Sequence, residues 1–320
     1  MRSSSRCMTP RTCESGRKPP GNSVALSRPE GTVPNQNTSF ILTLSCRDRR
    51  GIVHAVSGFL SERNCNITEA AQFTDAEHQH FFMRIAFAAE GEQLDLGDLL
   101  QQFRETVAAE FEMLWELTDA ATRMPAVIMV SKLGHCLHDL LLRWRTGLLP
   151  IDVKGIVSNH RDFYQLAASY DIPFHHIPVT PETKPVAEQE LLKVLAAEDA
   201  PLLILARYMQ VLSDDLSRKL SGRAINIHHS FLPGFKGAKP YAQAHARGVK
   251  LIGATAHYVT GDLDEGPIIE QDVERADHSM SPASLTALGR DVESVVLARA
   301  VRWHAERRVL VNGNRTVVFR

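Results

Sequence analysis

The sequence predicts an α/β protein in which a small ferredoxin-like βαββαβ domain precedes a Rossmann-like domain with a mostly parallel sheet. Two observations carry this prediction. Between residues 38 and 120 the apolar periodicity follows the order βαββαβ. From about residue 126, short apolar runs of strand length alternate with amphipathic helical segments, as in successive βαβ crossovers. We therefore divide the chain into residues 1–37, 38–120 and 121–320.

Residues 1–37 are rich in Ser, Arg, Pro and Gly and contain few large apolar residues, so we expect a disordered N-terminal extension. Its arginines and serines suggest a transit peptide. However, Pro10, Pro19 and Pro20 would interrupt the amphipathic helix that such a peptide needs. We therefore favour an unstructured extension over a targeting signal.

Composition narrows the classes of function. The 320 residues are 44% hydrophobic and carry a formal net charge of -1, so neither a nucleic-acid partner nor a membrane partner is expected. No apolar run has the length needed to span a bilayer. The five cysteines are scattered and form no CxxC pair, which favours reduced thiols and a cytoplasmic location.

The elements of the first domain follow from the spacing of its apolar residues. They are strand 40–46, a helix beginning at Ile52, strand 66–74, strand 81–87, a helix with apolar residues from Leu96 to Val107, and strand 111–117. Residues 48–53 (DRRGIV), together with Asn66 and Ile67, resemble the ACT family of regulatory domains.

The resemblance to ACT domains implies that two copies pair side by side and that a small amino acid binds at the first strand–helix turn. We therefore expect a homo-oligomer formed through this domain, with an effector held by Gly51, Asn66 and Ile67. Gly51 would let backbone N–H groups at a helix N-terminus approach a carboxylate, and we expect glycine or methionine as the effector. The alternative is that Gly51 only shapes the turn and that the domain serves dimerisation.

The second domain is predicted to have its ligand site at the carboxyl ends of its strands, as in other parallel sheets. The predicted strands are 126–130, 152–157, 174–177 and 202–205, and the predicted helices are 135–145, 161–169 and 186–198. A long helix over 282–308 and a closing hairpin end the chain.

Two polar residues follow this pattern at the end of a further apolar strand. Asn226 and His228 are two residues apart, so both side chains project from the same face. His257 ends another apolar run, and an acidic loop containing Asp264 follows it. An amide donor, an imidazole and a carboxylate suit a carbonyl that becomes a tetrahedral oxyanion. The alternative is a set of satisfied buried polar groups without a catalytic role.

The segments INIHHSFLPGFKG at 225–237 and GATAHYVTGDLDEGP at 253–267 resemble the folate-dependent formyltransferase family. The resemblance implies that Asn226, His228 and Asp264 are the catalytic residues. It also implies that 10-formyltetrahydrofolate is the small-molecule folate substrate and that no separate cofactor is used. The substrate-binding residues that we expect are Met209, Val211, Leu212, His257 and Val259, with His257 also orienting Asp264.

The turn after the first strand of this domain decides which nucleophile we expect. In the purine-pathway transferase of this family, that turn is rich in Gly, Ser and Asn and holds the acceptor's phosphate. Here it reads SKLGHCL at 131–137, with one Gly remaining. We therefore expect water as the nucleophile, and hydrolysis to formate and tetrahydrofolate that supplies formate for purine synthesis and balances one-carbon pools.

The same residues also allow three other assignments. The first is formyl transfer to an amine acceptor, because Lys132 can still hold a phosphate. The second is a non-catalytic, folate-sensing regulator. The third, a metal site at His228, His229 and His257, is not expected, because adjacent strand residues point to opposite faces.

Overall fold

The computed structural model describes residues 38–89, 94–230 and 240–320. These residues form a four-stranded sheet, a seven-stranded sheet and a two-stranded hairpin. The predicted disordered extension, residues 1–37, lies outside the described residues.

The N-terminal domain has the predicted βαββαβ order, with an antiparallel sheet in the order β2-β3-β1-β4. Its helices cover one face of this sheet, where residues such as Phe40, Ile52 and Phe103 are buried. Its elements are β1 (Ser39–Arg47), α1 (Ile52–Ser61), β2 (Cys65–Asp75), β3 (His80–Ala89), α2 (Leu96–Phe103), α3 (Ala109–Phe111) and β4 (Leu114–Asp119).

The last strand of this domain begins three residues later than predicted. A π-helical turn, Arg104–Ala108, joins α2 to α3, and Phe111 ends the helical segment. Glu112 then adopts a left-handed conformation, with a φ of 50°, and reverses the chain. Phe111 is buried in the core from this helical position, so its apolar character alone did not identify a strand.

The C-terminal domain contains a seven-stranded sheet in the order β11-β10-β9-β8-β5-β6-β7. Its strands are β5 (Met124–Val130), β6 (Ile151–Ser158), β7 (Phe174–His176), β8 (Leu202–Leu205), β9 (Ala224–His228), β10 (Leu251–Tyr258) and β11 (Ile268–Arg275). The five strands from β5 to β9 run parallel, as predicted.

β10 runs antiparallel to both of its neighbours, β9 and β11, so it is the one described strand of this sheet that runs against the others. β11 was not predicted. β11 is an edge strand in which only Ile269 and Glu270 are buried, while its second half is largely exposed. A strand that buries so few residues lacks the apolar alternation by which strands are read from sequence.

Helices cover both faces of this sheet, and each face has its own buried cluster. The helices are α4 (His135–Arg145), α5 (Tyr164–Ser169), α6 (Lys184–Ala197), α7 (Asp214–Lys219), α8 (Pro240–Arg247) and α9 (Pro282–Ala305). The predicted bounds of α4 are confirmed, α9 ends three residues earlier than predicted, and α8 was not predicted. The hairpin β12 (Val309–Asn312) and β13 (Arg315–Val318) closes the chain as predicted.

Candidate active site

The structure brings the three predicted catalytic side chains together at the end of β9. Alternation along β9 places Asn226 and His228 on the same side of the sheet, at its carboxyl edge. The loop after β10 carries Asp264 towards them. Nδ1 of His228 lies 3.1 Å from Oδ2 of Asp264, and because a carboxylate only accepts, the imidazole donates this hydrogen bond.

His257 fixes the orientation of the Asn226 amide. Nδ1 of His257 lies 2.9 Å from the carbonyl oxygen of Tyr258, so this nitrogen carries a proton. In the neutral ring, Nε2 is then an acceptor, and Nδ2 of Asn226 donates to it across 3.2 Å. The second N–H of the same amide is left for a substrate oxygen. His257 is buried and acts here as an orienting group for Asn226.

The acidic loop is held close to the strand that precedes it. The backbone N–H of Tyr258 donates to the carbonyl oxygen of Pro267 across 2.9 Å. A Cβ at Gly266 would overlap the carbonyl oxygen of Tyr258, so only glycine allows this approach. Asp264 itself adopts a φ of 58°, a conformation that Asp tolerates better than most residues. The loop therefore presents Asp264 in one fixed orientation.

Burial raises the pKa of Asp264, but the hydrogen bond and the charge of His228 lower it by more. The net effect holds the pKa of Asp264 well below its usual range. Asp264 is therefore an anion across the neutral and mildly acidic range, and it stabilises positive charge on its neighbours.

Two neighbours of His228 were not assigned a role from the sequence. Nε2 of His228 lies 2.9 Å from Oγ of Ser230, whose carbonyl oxygen accepts from Thr255 Oγ across 3.0 Å. The expectation that His229 points away from His228 is wrong. β9 ends at His228, so strand alternation no longer applies, and the two rings stack with centroids 4.8 Å apart. The position of Ser230 two residues after His228 was the available signal.

These side chains form one wall of a cleft of about 240 Å³. The predicted substrate-binding residues all line it: Met209, Val211, Leu212, His257 and Val259. Met209 and Val211 are half-exposed, at 54% and 56%, whereas Leu212 is buried. Residues 231–237, the remainder of the first motif, lie outside the described residues.

The loop that carries Met209 is anchored by a serine from the turn after β5. Oγ of Ser131 accepts from the backbone N–H of Met209 across 3.0 Å and donates to Oδ1 of Asn159 across 2.7 Å. The backbone N–H of Ser131 also donates to the carbonyl oxygen of Arg207 across 3.2 Å. Ser131 therefore positions the apolar side of the cleft, a role that the sequence did not indicate.

The predicted effector residues are not all in one place. Asn66 and Ile67 line a shallow groove of about 490 Å³, together with residues of α1 such as Ser57 and Ser61. Gly51 lies outside this groove, at the N-terminal end of α1, where its φ of 96° requires glycine.

Two groups among the described residues have the ligand chemistry of a metal site: His135, Cys136 and Glu293, and Asp75, Glu77 and His78. In the first group, both carboxylate oxygens of Glu293 already accept hydrogen bonds, from His135 Nε2 at 2.7 Å and Tyr241 Oη at 2.6 Å. Burial raises the pKa of the Cys136 thiol strongly, which disfavours the thiolate that a metal needs. The Glu293 carboxylate of the first group and the Asp75 carboxylate of the second thus already accept hydrogen bonds from other residues of the protein.

Two known protein families match the two domains of the chain separately. The family model for formyl transferases matches residues 124–301, and the model for ACT domains matches residues 40–107. A formyltetrahydrofolate deformylase from Corynebacterium sp. (strain P-1) is 51% identical over 286 residues, covering 89% of this chain and 100% of the relative. The chain belongs to the formyltetrahydrofolate deformylase family.

A solved structure supports the same membership. The formyltetrahydrofolate deformylase from Burkholderia mallei ATCC 23344 is 56% identical, covers 88% of this chain and 100% of its own, and superposes with a TM-score of 0.85. The glycinamide ribonucleotide transformylase 1 from Symbiobacterium toebii is 28% identical, covers 62% of this chain, and superposes with a TM-score of 0.58. The deformylase structure thus matches both domains of the chain, whereas the transformylase structure covers a smaller share of it.

None of the helices within residues 38–89, 94–230 and 240–320 combines the length and the apolar character that crossing a membrane requires.

Proposed function

We propose that this chain hydrolyses 10-formyltetrahydrofolate to formate and tetrahydrofolate. The observation that carries the proposal is the convergence of Asn226, His228 and Asp264 on the wall of a cleft with an apolar side. Membership of the formyltetrahydrofolate deformylase family supports it. Folate is the substrate, so the proposed reaction uses no separate cofactor.

The proposed substrate fits the shape and chemistry of the cleft. Met209, Val211 and Leu212 present an apolar surface along one side, and Val259 lies on the other. A flat heteroaromatic ring binds between such walls, while backbone groups of the two loops recognise its polar edges. The formyl group would then lie beside β9, next to Asn226 and His228.

Attack by water on the formyl carbon places negative charge on the formyl oxygen. The second N–H of the Asn226 amide donates to this oxyanion in our proposal, because its first N–H is committed to His257. One preorganised donor of this kind contributes about 3 kcal/mol to lowering the barrier. Its preorganisation comes from the Tyr258–His257–Asn226 chain of hydrogen bonds.

The proton needed by the leaving nitrogen comes from His228 in this proposal. Asp264 stabilises the imidazolium form of His228 through the 3.1 Å contact at Nδ1. One water proton passes through this pair to the nitrogen as the C–N bond breaks, and the other leaves with formic acid, which ionises to formate. The low pKa of Asp264 makes it a weak base, so it orients the water and the imidazole and carries a proton only transiently.

Formyl transfer to an amine is the second candidate, and the turn after β5 argues against it. Leu133 in this turn, and Cys136 in the first turn of α4, replace small residues that would expose backbone N–H groups, and His135 at the start of α4 is engaged with Glu293. The deciding experiment is to incubate the purified protein with 10-formyltetrahydrofolate and no amine. Release of formate at a steady rate supports hydrolysis, and turnover only after addition of an amine would contradict it. Binding without turnover would favour a folate-sensing regulator.

We propose that residues 38–120 regulate and oligomerise the enzyme and that residues 121–320 carry out catalysis. β2 is the outer strand of the first sheet and exposes Ile67 and Phe73, which supports pairing of two copies through this domain. The proposed effector is glycine or methionine, bound near Asn66 and Ile67. Calorimetric titration that gives no heat with either amino acid would contradict the effector, and a monomer by light scattering would contradict the oligomer.

The finer biological role is also proposed. Formate from this reaction would supply purine synthesis in the cytoplasm and balance one-carbon pools. The proposal predicts that formate added to the medium restores the growth of cells that lack the enzyme and depend on it for purines.

A further inference from the structure

Arg207 is a cation at the edge of the cleft to which the proposed mechanism assigns no role. It follows β8, it is only 8% exposed, and it borders the cleft together with Asn226 and His228. Its φ of 65° is unusual for a long side chain, so tertiary contacts hold it in this conformation. Among the described residues that line the cleft, it is the one Lys or Arg.

The guanidinium of Arg207 has an anchor but retains unused donors. Nε lies 3.3 Å from Oε2 of Glu293, yet this buried N–H is not aligned for a hydrogen bond. Among the described residues the terminal nitrogens of Arg207 have no hydrogen-bond partner, and unlike Nε they are not among the fully buried unpaired atoms. They therefore reach solvent and can donate to an anion that enters the cleft.

Glu293 forms an ion pair with this guanidinium and accepts one hydrogen bond on each of its oxygens. It is 1% exposed, and its two oxygens accept from His135 and Tyr241. Burial raises the pKa of Glu293, but His135, Arg207 and Tyr241 lower it by more, so it remains an anion. The ion pair at Nε positions Arg207 at the border of the cleft and leaves its terminal nitrogens available.

The proposed reaction produces a small carboxylate in this cleft. Formate forms beside Asp264, whose negative charge repels it. A guanidinium binds a carboxylate through two parallel N–H donors, a geometry that an ammonium group does not reproduce. Arg207 supplies this fork on a wall of the same cleft.

We propose that Arg207 binds the formate product through its terminal nitrogens and draws it away from Asp264 before release. This inference rests on the proposed hydrolysis for the identity of the anion. The site itself would bind small monocarboxylates whether or not the enzyme turns over.

The first test is product inhibition by sodium formate, with sodium chloride at equal ionic strength as the reference. We expect the inhibition constant for formate to rise by about tenfold or more in Arg207→Met, because two charge-assisted hydrogen bonds are lost. Arg207→Lys should recover only part of the affinity. The matched control, Arg299→Met, removes an exposed arginine on α9 that pairs with Asp272, and its inhibition constant should equal that of the wild type.

Loss of Arg207 leaves the buried Glu293 without its cation, so the single variant can unfold. The double variant Arg207→Met/Glu293→Gln removes both charges and keeps the test possible. Wild-type protein that formate does not inhibit more than chloride, or variants with an unchanged inhibition constant, would overturn the proposal.

A direct measurement separates this proposal from the proposed function. Saturation-transfer NMR with ¹³C-formate and no folate should show binding to the wild type and none to Arg207→Met or to the double variant. Equal signals in the wild type and in both variants would overturn the Arg207 site even if hydrolysis is normal. Conversely, absence of hydrolysis with Arg207-dependent formate binding would refute the function and leave the site intact.

Discussion

The carboxylate of Asp264 lies between two imidazole rings, 3.1 Å from Nδ1 of His228 and 3.7 Å from Nε2 of His257. The contact with His228 lowers the pKa of Asp264 and gives the cleft a fixed negative charge beside the proposed proton donor. Because Asn has the same shape without the charge, Asp264→Asn separates the electrostatic contribution of this residue from its packing.

We expect Asp264→Asn to lower kcat by about two orders of magnitude or more, because the imidazolium of His228 loses its counter-ion. The variant should keep its far-UV circular dichroism spectrum. Asp215→Asn, which removes an exposed carboxylate paired with Lys219, is the control and should retain wild-type kcat. Near-normal turnover of Asp264→Asn would refute the proposed role.

The same pair makes a prediction about pH. Since the pKa of Asp264 is lowered, the carboxylate stays ionised as the pH falls through the usual carboxyl range near 4. The carboxyl carbon of Asp264, followed by ¹³C NMR, should therefore show no ionisation between about pH 8 and pH 4. Ionisation of this carboxyl within that range would contradict the lowered pKa.

Asn226 makes a second prediction at this scale. Asn226→Ala removes the proposed oxyanion donor, and we expect kcat to fall by about 10²–10³-fold with a smaller change in KM. Single-turnover rates measure the chemical step directly. A variant that raises KM and keeps kcat would show that Asn226 binds the ground state and not the transition state.

At the scale of elements, α9 carries a glycine, Gly289, at the point where it packs against α8. A Cβ at Gly289 would overlap the ring of Tyr241, whose hydroxyl donates to Glu293 one turn further along the helix. Glycine in the middle of a helix is otherwise unfavourable, so its presence at this position reflects the close approach of α8.

Gly289→Ala and Gly58→Ala form a matched pair. Both glycines lie in helices, but the space around a Cβ at Gly58 is open. We expect Gly58→Ala to raise the free energy of unfolding by about 0.5–1 kcal/mol and Gly289→Ala to lower it by about 1–3 kcal/mol. Urea unfolding measures both values. Stabilisation by Gly289→Ala would mean that Tyr241 moves aside without cost.

At the scale of the whole molecule, polar contacts join the ACT domain to the end of the catalytic domain. Arg84 on β3 donates to the carbonyl oxygen of Glu306, just after α9, across 3.2 Å and 3.1 Å. Glu69 on β2 bridges Arg84 and Arg308, with N···O distances of 2.9 Å and 2.7 Å. Hydrogen bonds from Arg308 and, to a smaller extent, from Arg84 lower the pKa of Glu69. Burial acts in the opposite direction but is outweighed. The contact between the two domains therefore contains ionised side chains.

Asp75 is the second contact between the domains, and it predicts how stability depends on pH. A hydrogen bond from Asn312 across 2.7 Å lowers the pKa of Asp75, and His78 lowers it further. Burial acts in the opposite direction, but the net effect holds the pKa of Asp75 well below its usual range. Its contribution to stability is therefore present above the unfolded-state pKa, near 4, and is lost as the pH falls through the lower folded-state pKa.

We expect Asp75→Asn to lower the urea midpoint at pH 7, and we expect its difference from the wild type to narrow progressively as the pH falls below about 4. Asp48→Asn, an exposed substitution in the same domain, is the control and should leave the midpoint at each pH unchanged. A difference between Asp75→Asn and the wild type that grows as the pH falls would contradict the lowered pKa of Asp75.

The sequence by itself determined the βαββαβ order of the first domain, the parallel strands β5 to β9 of the second, the bounds of α4, and the placement of Asn226 and His228 on one face of β9. These features depend on periodicity among neighbouring residues, which a single sequence contains. It did not determine β11, because an exposed edge strand buries too few residues to show alternation. The role of each predicted site residue remains a prediction for the experiments above.

Only the tertiary structure decided which distant residues meet. Ser131 anchors Met209, His257 orients Asn226, and Glu293 holds Arg207, although 31 to 86 positions separate the members of each pair. No local pattern records these contacts, because they arise when strands and helices from separate parts of the chain pack at one edge of the sheet. The stacking of His229 on His228 has the same origin, since it depends on where β9 ends.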